Sequence, residues 1–380
     1  MKRLLCIVGS MNAGGAETFL MKMYRALDKQ KYQMDFAVAI SEKGFYDDEI
    51  ISMGGIIHHI TPKSKSFIKN FNDIRKLVKD NNYDYVMRIS QHSLSGLELL
   101  AAKLGGAKVR VFRSSNSNTT SSNKLNQILH KLCMFMPAFF ANVRIAPSTE
   151  AAEFMFGDRC VEKGKASLLP NAIDTSIFRY NEDARCSIRK EFFINKNQLV
   201  VGHIGRFNQQ KNHRFLIEVF AEVLKQKPDA LLMLVGDGEK KNEIKEQINA
   251  LGIEESVILT GIRSDVPALL SAMDVFVFPS FYEGMPNTVI EAQATGLSCV
   301  IADTITKEAG VTECVYYKSL TDSKDAWADL AVSLFSYYNE ERSYYNYKMK
   351  SAGYDISSCV EQFTKLTFEG GVENNANKVK

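Results

Sequence analysis

The chain has no CxxC pair, and of its seven cysteines (Cys6, Cys133, Cys160, Cys186, Cys299, Cys314 and Cys359) only Cys133 sits close to a histidine, His130, with no further ligand type nearby in the sequence. That excludes a disulfide scaffold and a zinc site, and the thiols read as free, buried groups of a reducing compartment. Long apolar runs are missing as well: the longest, 132–143, is too short to span a bilayer. The opening MKRLLCIVGSMNAGGAE passes quickly from a short apolar stretch into a polar, glycine-rich loop. It therefore reads as a buried first strand and not as a signal peptide. A GxGxxG with an acidic residue after the second strand is absent, which argues against a dinucleotide-dependent dehydrogenase. Aromatic-basic motifs, zinc-finger spacing and a recognition-helix pattern are also missing, so nucleic acid is not an expected partner. No internal repeat is visible.

What is present is a soluble, globular composition, 45% hydrophobic and 24% charged, in 380 residues, enough for two or at most three domains. The net charge of +3 conceals an asymmetry. Residues 1–176 hold 24 Lys and Arg against 16 Asp and Glu, a net +8; the remainder holds 23 against 28, a net −5. The first half is suited to an anionic partner such as a lipid headgroup or a pyrophosphate, although lysines that merely solvate helices give the same balance.

Short apolar runs alternate with amphipathic stretches. Strands are predicted over 3–8, 33–40, 55–60, 83–89, 108–112, 143–147 and 166–169, with helices such as 67–79 and 94–104 between them. The pattern then restarts, with strands over 199–204, 231–235, 257–259, 275–278 and 298–301 and helices over 215–227, 239–251 and 266–272. Such alternation predicts parallel sheets covered on both faces, hence two doubly wound α/β domains. The turn-rich LLPNAIDTSIF marks the seam, near 169–189. The tail after Val372 is polar and reads as disordered. In open α/β sheets ligands bind beyond the carboxyl ends of the strands, so the residues just after each strand carry the functional reading.

Four such segments stand out. After the strand ending near Pro279 comes FPSFYEGMPNTVIEA, with Glu283 in a loop, Pro286 at a helix start and Glu291 eight residues beyond Glu283. The amides of Gly284, Met285 and Asn287, at a helix N-terminus, suit an anion. The simpler reading is a helix-start charge followed by a solvated one. VGHIGRFNQQKN places Arg206 and Lys211 on a loop where a departing diphosphate would need countercharge. Gly14 and Gly15 form a glycine turn opening a helix, either a phosphate loop or plain structure. VGDGE carries Asp237 and Glu239, which imitate a metal-binding pair.

The string FPSFYEGMPNTVIEAQATGLSCVIAD, together with VGHIGRFNQQKN, resembles the signature of family 4 of the retaining glycosyltransferases. The resemblance extends over nearly the whole chain and is tightest between 201 and 302. It implies the GT-B fold, two Rossmann-like doubly wound domains facing an interdomain cleft. Residues 1–176 with 355–372 would form the acceptor domain, including a C-terminal helix that crosses back, and 177–354 the nucleotide-sugar donor domain. By the same resemblance Glu291 takes the donor ribose, and Glu283 with Gly284, Met285, Pro286 and Asn287 holds the sugar. Arg206 and Lys211 neutralise the diphosphate, Gly14 and Gly15 line the cleft, and Asp237 shapes the base pocket without a metal, so no cofactor is expected. The family's usual His-x-His is absent; His92 is the candidate that remains, with Arg88 in place of a usual histidine. With one convincing carboxylate near the sugar, front-face retention fits better than double displacement.

The resemblance implies an enzyme that moves a sugar, with a UDP-sugar as the common donor, to a saccharide in capsule, exopolysaccharide or O-antigen assembly. The acceptor would be lipid-pyrophosphate-linked, with a small hydrophobic acceptor as the alternative. A nucleotide-sugar-binding pseudoenzyme is the reading from another class; epimerases and phosphorylases share the fold. The predicted helix NKLNQILHKLCMFMPAFF, 123–140, carries a Met- and Phe-rich stripe, either a core or subunit-facing surface or a membrane-surface patch. The expected place of action is the cytoplasm, with peripheral contact at the inner membrane face.

Overall fold

The computed structural model describes residues 1–12, 14–115, 124–335 and 342–369; the polar tail after Val372 lies outside them. The chain divides into two compact units, residues 1–172 with 356–380, and 173–355.

In the first unit, strands β1 (Lys2–Val8), β2 (Tyr32–Val38), β3 (Ile57–His59), β4 (Tyr85–Ser90), β5 (Val109–Ser114), β6 (Val143–Ala146) and β7 (Ser167–Leu168) form one sheet. Its order is β3-β2-β1-β4-β5-β6-β7, and every pairing is parallel. The inner strands are apolar on both faces because helices cover both; in β1, Leu4 to Val8 are buried without a break. The C-terminal helix Ile356–Phe368 buries Cys359, Phe363 and Leu366, one stripe of a 3.6-residue period, against this unit. Phe363 meets Phe19 edge-on at 6.2 Å, and Phe368 lies 4.6 Å from Tyr32.

In the second unit β8 (Val200–Ile204), β9 (Leu231–Val235), β10 (Val257–Gly261), β11 (Val275–Phe278), β12 (Ser298–Ala302) and β13 (Val315–Lys318) form a parallel sheet in the order β10-β9-β8-β11-β12-β13. Strands β8 and β11 are fully buried. Edge strand β13 was not anticipated: VYYK is short, half-exposed and lacks the apolar run that marked the others.

Two further expectations are corrected. The helix foreseen over 123–140 is two, Lys124–Cys133 and Phe135–Phe140. Pro137 has no N–H for the carbonyl of Cys133 four residues back, and the helix breaks between them. Asn123 lies outside the described residues. The thiols are all free, but Cys186, on the outer side of helix Glu182–Glu191, is exposed rather than buried.

Candidate active site

Each sheet reverses its strand order once, between β1 and β4 in the first unit and between β8 and β11 in the second. At such a switch point the two outgoing loops diverge and leave a crevice at the strands' carboxyl ends. In the second unit that crevice holds the two groups singled out most strongly. Lys211, on the loop after β8, donates to Glu283 Oε1, on the loop after β11, at 2.7 Å, with side chains 16% and 11% exposed. The ammonium also lies 4.5 Å from the centre of the Phe278 ring.

Residues that drew no notice in the sequence hold these loops together. Asn212, in the left-handed region at φ 54°, donates its side-chain amide to the Pro279 carbonyl at 3.1 Å. Gln210 donates to the Tyr282 carbonyl at 2.8 Å, and its own carbonyl accepts from Phe281 N–H at 2.9 Å. Asn208 accepts from the Lys211 backbone N–H at 3.2 Å. The available signal was the run NQQKN, whose side-chain amides can bond backbone groups that irregular loops leave unpaired.

Helix Asn287–Ala294 starts at this crevice with Pro286 as its N-cap and no side-chain cap. Among the described residues the N–H groups of Gly284 and Met285 have no partner. Glu291, one turn into that helix, is half-buried. Backbone donors at a helix N-terminus beside Lys211 make a place for an anion.

The turn after β9 forms the crevice's second wall. A Cβ on Gly236 (φ 138°) would lie 2.1 Å from the Gly205 carbonyl oxygen, and one on Gly238 would lie 2.4 Å from that of Phe207. Both positions therefore require glycine for backbone to pass over backbone. Asp237 accepts from Lys241 at 2.6 Å and from Gly238 N–H, and Lys241 holds its carboxyl below the usual range. Arg206 stands on the exposed rim, 74% accessible and 3.5 Å from Glu239, a pair too open to fix either group.

Gly14, Gly15 and His92 belong to the first unit and follow β1 and β4, at its own switch point. A Cβ on Gly15 would meet nothing among the described residues, so their packing does not demand that glycine. His92 caps a short turn by accepting from Leu94 N–H at Nδ1, 3.2 Å away. Arg88 forms an ion pair with Glu98, which also takes Lys63 at 3.0 Å. Arg113, at the end of β5, is 2% exposed, bonds Asn171 at 2.8 Å and stacks on Phe19 at 3.7 Å; burial lowers its pKa to about 9.

Beneath Lys211 lie two buried histidines, His203 and His213, with ring centres 4.8 Å apart. His203 Nδ1 donates to the Val277 carbonyl at 2.9 Å; among the described residues His203 Nε2 and both nitrogens of His213 have no partner. Burial above all, then the Lys211 charge, lowers His213 from 6.5 to about 4. The unfolded chain therefore takes up this proton near pH 6.5, whereas the folded chain resists until about pH 4. Stability from this group is complete above pH 6.5 and is lost as pH falls toward 4. In denaturant titrations His213→Leu is expected to lose about 2 kcal/mol less than wild type between pH 7 and pH 5. Equal losses would show that His213 is protonated in the fold.

Two parallel doubly wound sheets of this kind are the GT-B architecture of glycosyltransferases. The fold is similar to that of a glycosyltransferase from Rickettsia africae (TM-score 0.80, 15% identity, 98% of this chain and 99% of that one). It is also similar to HepE of Anabaena, solved in complex with UDP (TM-score 0.78, 18% identity, 96% and 99%). Residues 13–177 match the family model described as Glycosyltransferase Family 4, and 198–336 the one described as Glycosyl transferases group 1. EpsF of Bacillus subtilis, a glycosyltransferase by name, is 33% identical over 367 residues, 94% of each chain. An Escherichia coli enzyme named UDP-Gal:alpha-D-GlcNAc-diphosphoundecaprenol alpha-1,3-galactosyltransferase is 30% identical over 241 residues, 62% of each. The chain belongs to glycosyltransferase family 4 and is a glycosyltransferase.

Proposed function

We propose that the chain transfers a hexose from a UDP-sugar, with retention of anomeric configuration, to a saccharide carried on a lipid diphosphate, in the assembly of a cell-surface polysaccharide. The observation that carries this reading is the Lys211–Glu283 pair, closed at 2.7 Å across the β8/β11 switch point beside the N–H groups of Gly284 and Met285. Cleaving a glycosyl–phosphate bond builds charge on the leaving diphosphate; Lys211 supplies fixed positive charge where it develops, and Arg206 adds a second cation from the exposed rim. An ammonium has three donors, so Lys211 serves Glu283 and an anion together. Glu283, held by that bond, orients the sugar; Glu291 takes the ribose. With no second carboxylate assigned to the sugar, the acceptor attacks from the face that the diphosphate leaves, and a diphosphate oxygen takes its proton.

The lipid-borne acceptor draws support from the names of relatives. Besides the Escherichia coli enzyme, a Campylobacter jejuni relative, 26% identical over 209 residues, is named for a diphospho-undecaprenol substrate. A Staphylococcus aureus relative, 26% identical over 318 residues, is named for capsular polysaccharide biosynthesis. UDP draws support from the name of the Escherichia coli relative and from the HepE complex. No helix among the described residues is long and apolar enough to cross a membrane. The enzyme would work from the cytoplasm, at the inner membrane face.

Metal independence belongs to the same proposal: Asp237 is engaged by Lys241, and the countercharge for the diphosphate comes from side chains. The test is slow hydrolysis of UDP-, GDP- and ADP-sugars with and without EDTA, with the anomeric configuration of the transferred product read by NMR. One donor class hydrolysed equally in EDTA is the expected result. Loss of turnover in EDTA sinks the metal-independent part, and failure of every donor to bind sinks the whole.

A further inference from the structure

We infer that His203 is a positioning residue of the donor crevice: in the donor complex its Nε2 lone pair accepts the third N–H of the Lys211 ammonium and holds that charge against the diphosphate. The inference rests on the reading of Lys211 as the countercharge of the diphosphate. His203 stands in the middle of β8, VVGHI, with no exposed surface. A polar ring is costly there, where phenylalanine would fill the same space. The bond from Nδ1 to the Val277 carbonyl accounts for one of its nitrogens and leaves the other unexplained.

A carbonyl can only accept, so the ring proton is on Nδ1 and Nε2 carries the lone pair. The ring is gripped from several sides. It lies nearly parallel to Phe276 (3°, centres 6.1 Å apart) and close to parallel with Phe278 (22°, 5.4 Å). His213 stands edge-on at 4.8 Å and is itself backed by Phe207 at 4.7 Å. None of these neighbours takes the lone pair: the phenylalanines have no donor, and both nitrogens of His213 are without a partner among the described residues. Burial above all, then repulsion from His213 and Lys211, keeps His203 well below the ordinary histidine pKa, so the lone pair is available at neutral pH. A buried acceptor left open in so rigid a setting calls for a donor.

Lys211 is the donor beside it. A Cβ on Gly205 would lie 3.2 Å from His203 Nε2 and 3.1 Å from Lys211 Cε, so the lone pair and the lysine stem flank one point, which the glycine keeps clear. The ammonium is one bond beyond Cε, over the face of Phe278, the ring on which His203 stacks. Of its three N–H groups one goes to Glu283 at 2.7 Å, a second is assigned to the diphosphate, and the third remains. Glu283 then fixes the ammonium from the loop after β11 and His203 from the strand beneath. A countercharge held in this way is in place before the charge it meets develops.

The experiment uses the different reach of two amides. Asparagine at 203 puts its amide where Nδ1 stood and keeps the bond to Val277; glutamine reaches the place of Nε2 and restores the acceptor there. Wild type, His203→Asn and His203→Gln are compared in hydrolysis of whichever UDP-, GDP- or ADP-sugar wild type hydrolyses fastest, with thermal melting alongside. His203→Asn is expected to lower kcat about tenfold or more and to leave KM for the donor within about threefold, as for a contact that counts in the transition state. His203→Gln should recover most of that kcat while melting lower than His203→Asn. A kcat for His203→Asn that equals or exceeds that of His203→Gln would make His203 a packing residue alone and overturn the inference. A second measurement needs no substitution at 203. The nitrogen-15 signal of its Nε2 should move upfield when UDP saturates wild type and should stay in place in Lys211→Ala at saturating UDP. A signal indifferent to bound UDP in wild type overturns the inference, whether or not the variants fold. Wild type that neither binds nor hydrolyses any sugar nucleotide removes the reading of Lys211 and this inference with it, whereas turnover with the wrong order of variants removes the inference alone.

Discussion

Glu283→Ala is expected to lower the turnover of sugar transfer, and of slow donor hydrolysis, by about 10²- to 10³-fold, with Lys211→Ala similar and the double variant little worse than either alone. The magnitude is that of removing one preorganised group that acts on charge developing in the transition state. Near-identity of the single and double variants follows from geometry: at 2.7 Å the two side chains orient each other, so removing either leaves the other unplaced. Glu283→Gln keeps an acceptor for Lys211 and should retain more activity than the alanine variant. Fluorescence or calorimetric titration with nucleoside diphosphate separates the two roles. Lys211→Ala should weaken its binding strongly, and Glu283→Ala only modestly, because a nucleoside diphosphate carries no sugar and Glu283 acts on it only by placing Lys211. Fold integrity is checked by thermal melting. Turnover within threefold of wild type for Glu283→Ala would refute its assignment to the sugar.

The fold was legible because its signal is redundant. Each parallel strand is apolar on both faces, so runs such as LLMLV and VFVF announce themselves, and their alternation with helical stretches gives the doubly wound class. What escaped lacked that redundancy. VYYK at the sheet edge needs burial on one side alone, and a single missing N–H at Pro137 divides a helix whose apolar period runs on unbroken. At the site, charged and glycine positions could be read from the chemistry of an anion, and the structure brings Lys211 and Glu283 together. The links that put them there could not be read. Gln210 and Asn212 act through backbone carbonyls more than sixty residues away, and nothing in a run of polar residues says which carbonyl each will find. His92 illustrates the reverse case: it lies beyond the carboxyl end of a central strand, as foreseen, yet its Nδ1 is spent on capping its own turn.

Asp274→Ala is expected to destabilise the second unit by about 3–5 kcal/mol, a large part of the roughly 5–15 kcal/mol that holds a domain folded. The reason begins at helix Val266–Ala272, whose C-terminal carbonyls point into protein and not into water. Three buried guanidiniums satisfy them. Arg185 donates to the carbonyls of Ser271, Ala272 and Met273, Arg189 to Ala272, and Arg342 to Leu270, Ser271 and Met273. Capping with cations solves the hydrogen-bond problem and creates a charge problem, which Asp274 offsets: it accepts Arg185 on Oδ1 and Arg189 on Oδ2, each at 2.7 Å, and takes the Val200 N–H at 2.8 Å. All three of these side chains are 4–6% exposed, so removing the carboxylate takes away the acid that two buried guanidiniums share and leaves neutral carbonyls to face their charge. Asp274 is also the residue before β11, the strand that delivers Phe278 and the Glu283 loop, so the loss reaches the donor crevice. Denaturant unfolding of the full chain, followed beside nucleoside diphosphate binding, is the measurement, with Asp274→Asn expected to lose less because one acceptor remains. A loss below about 1 kcal/mol in the alanine variant would mean that water or another acid reaches these arginines, and that the carbonyl caps alone hold them in place.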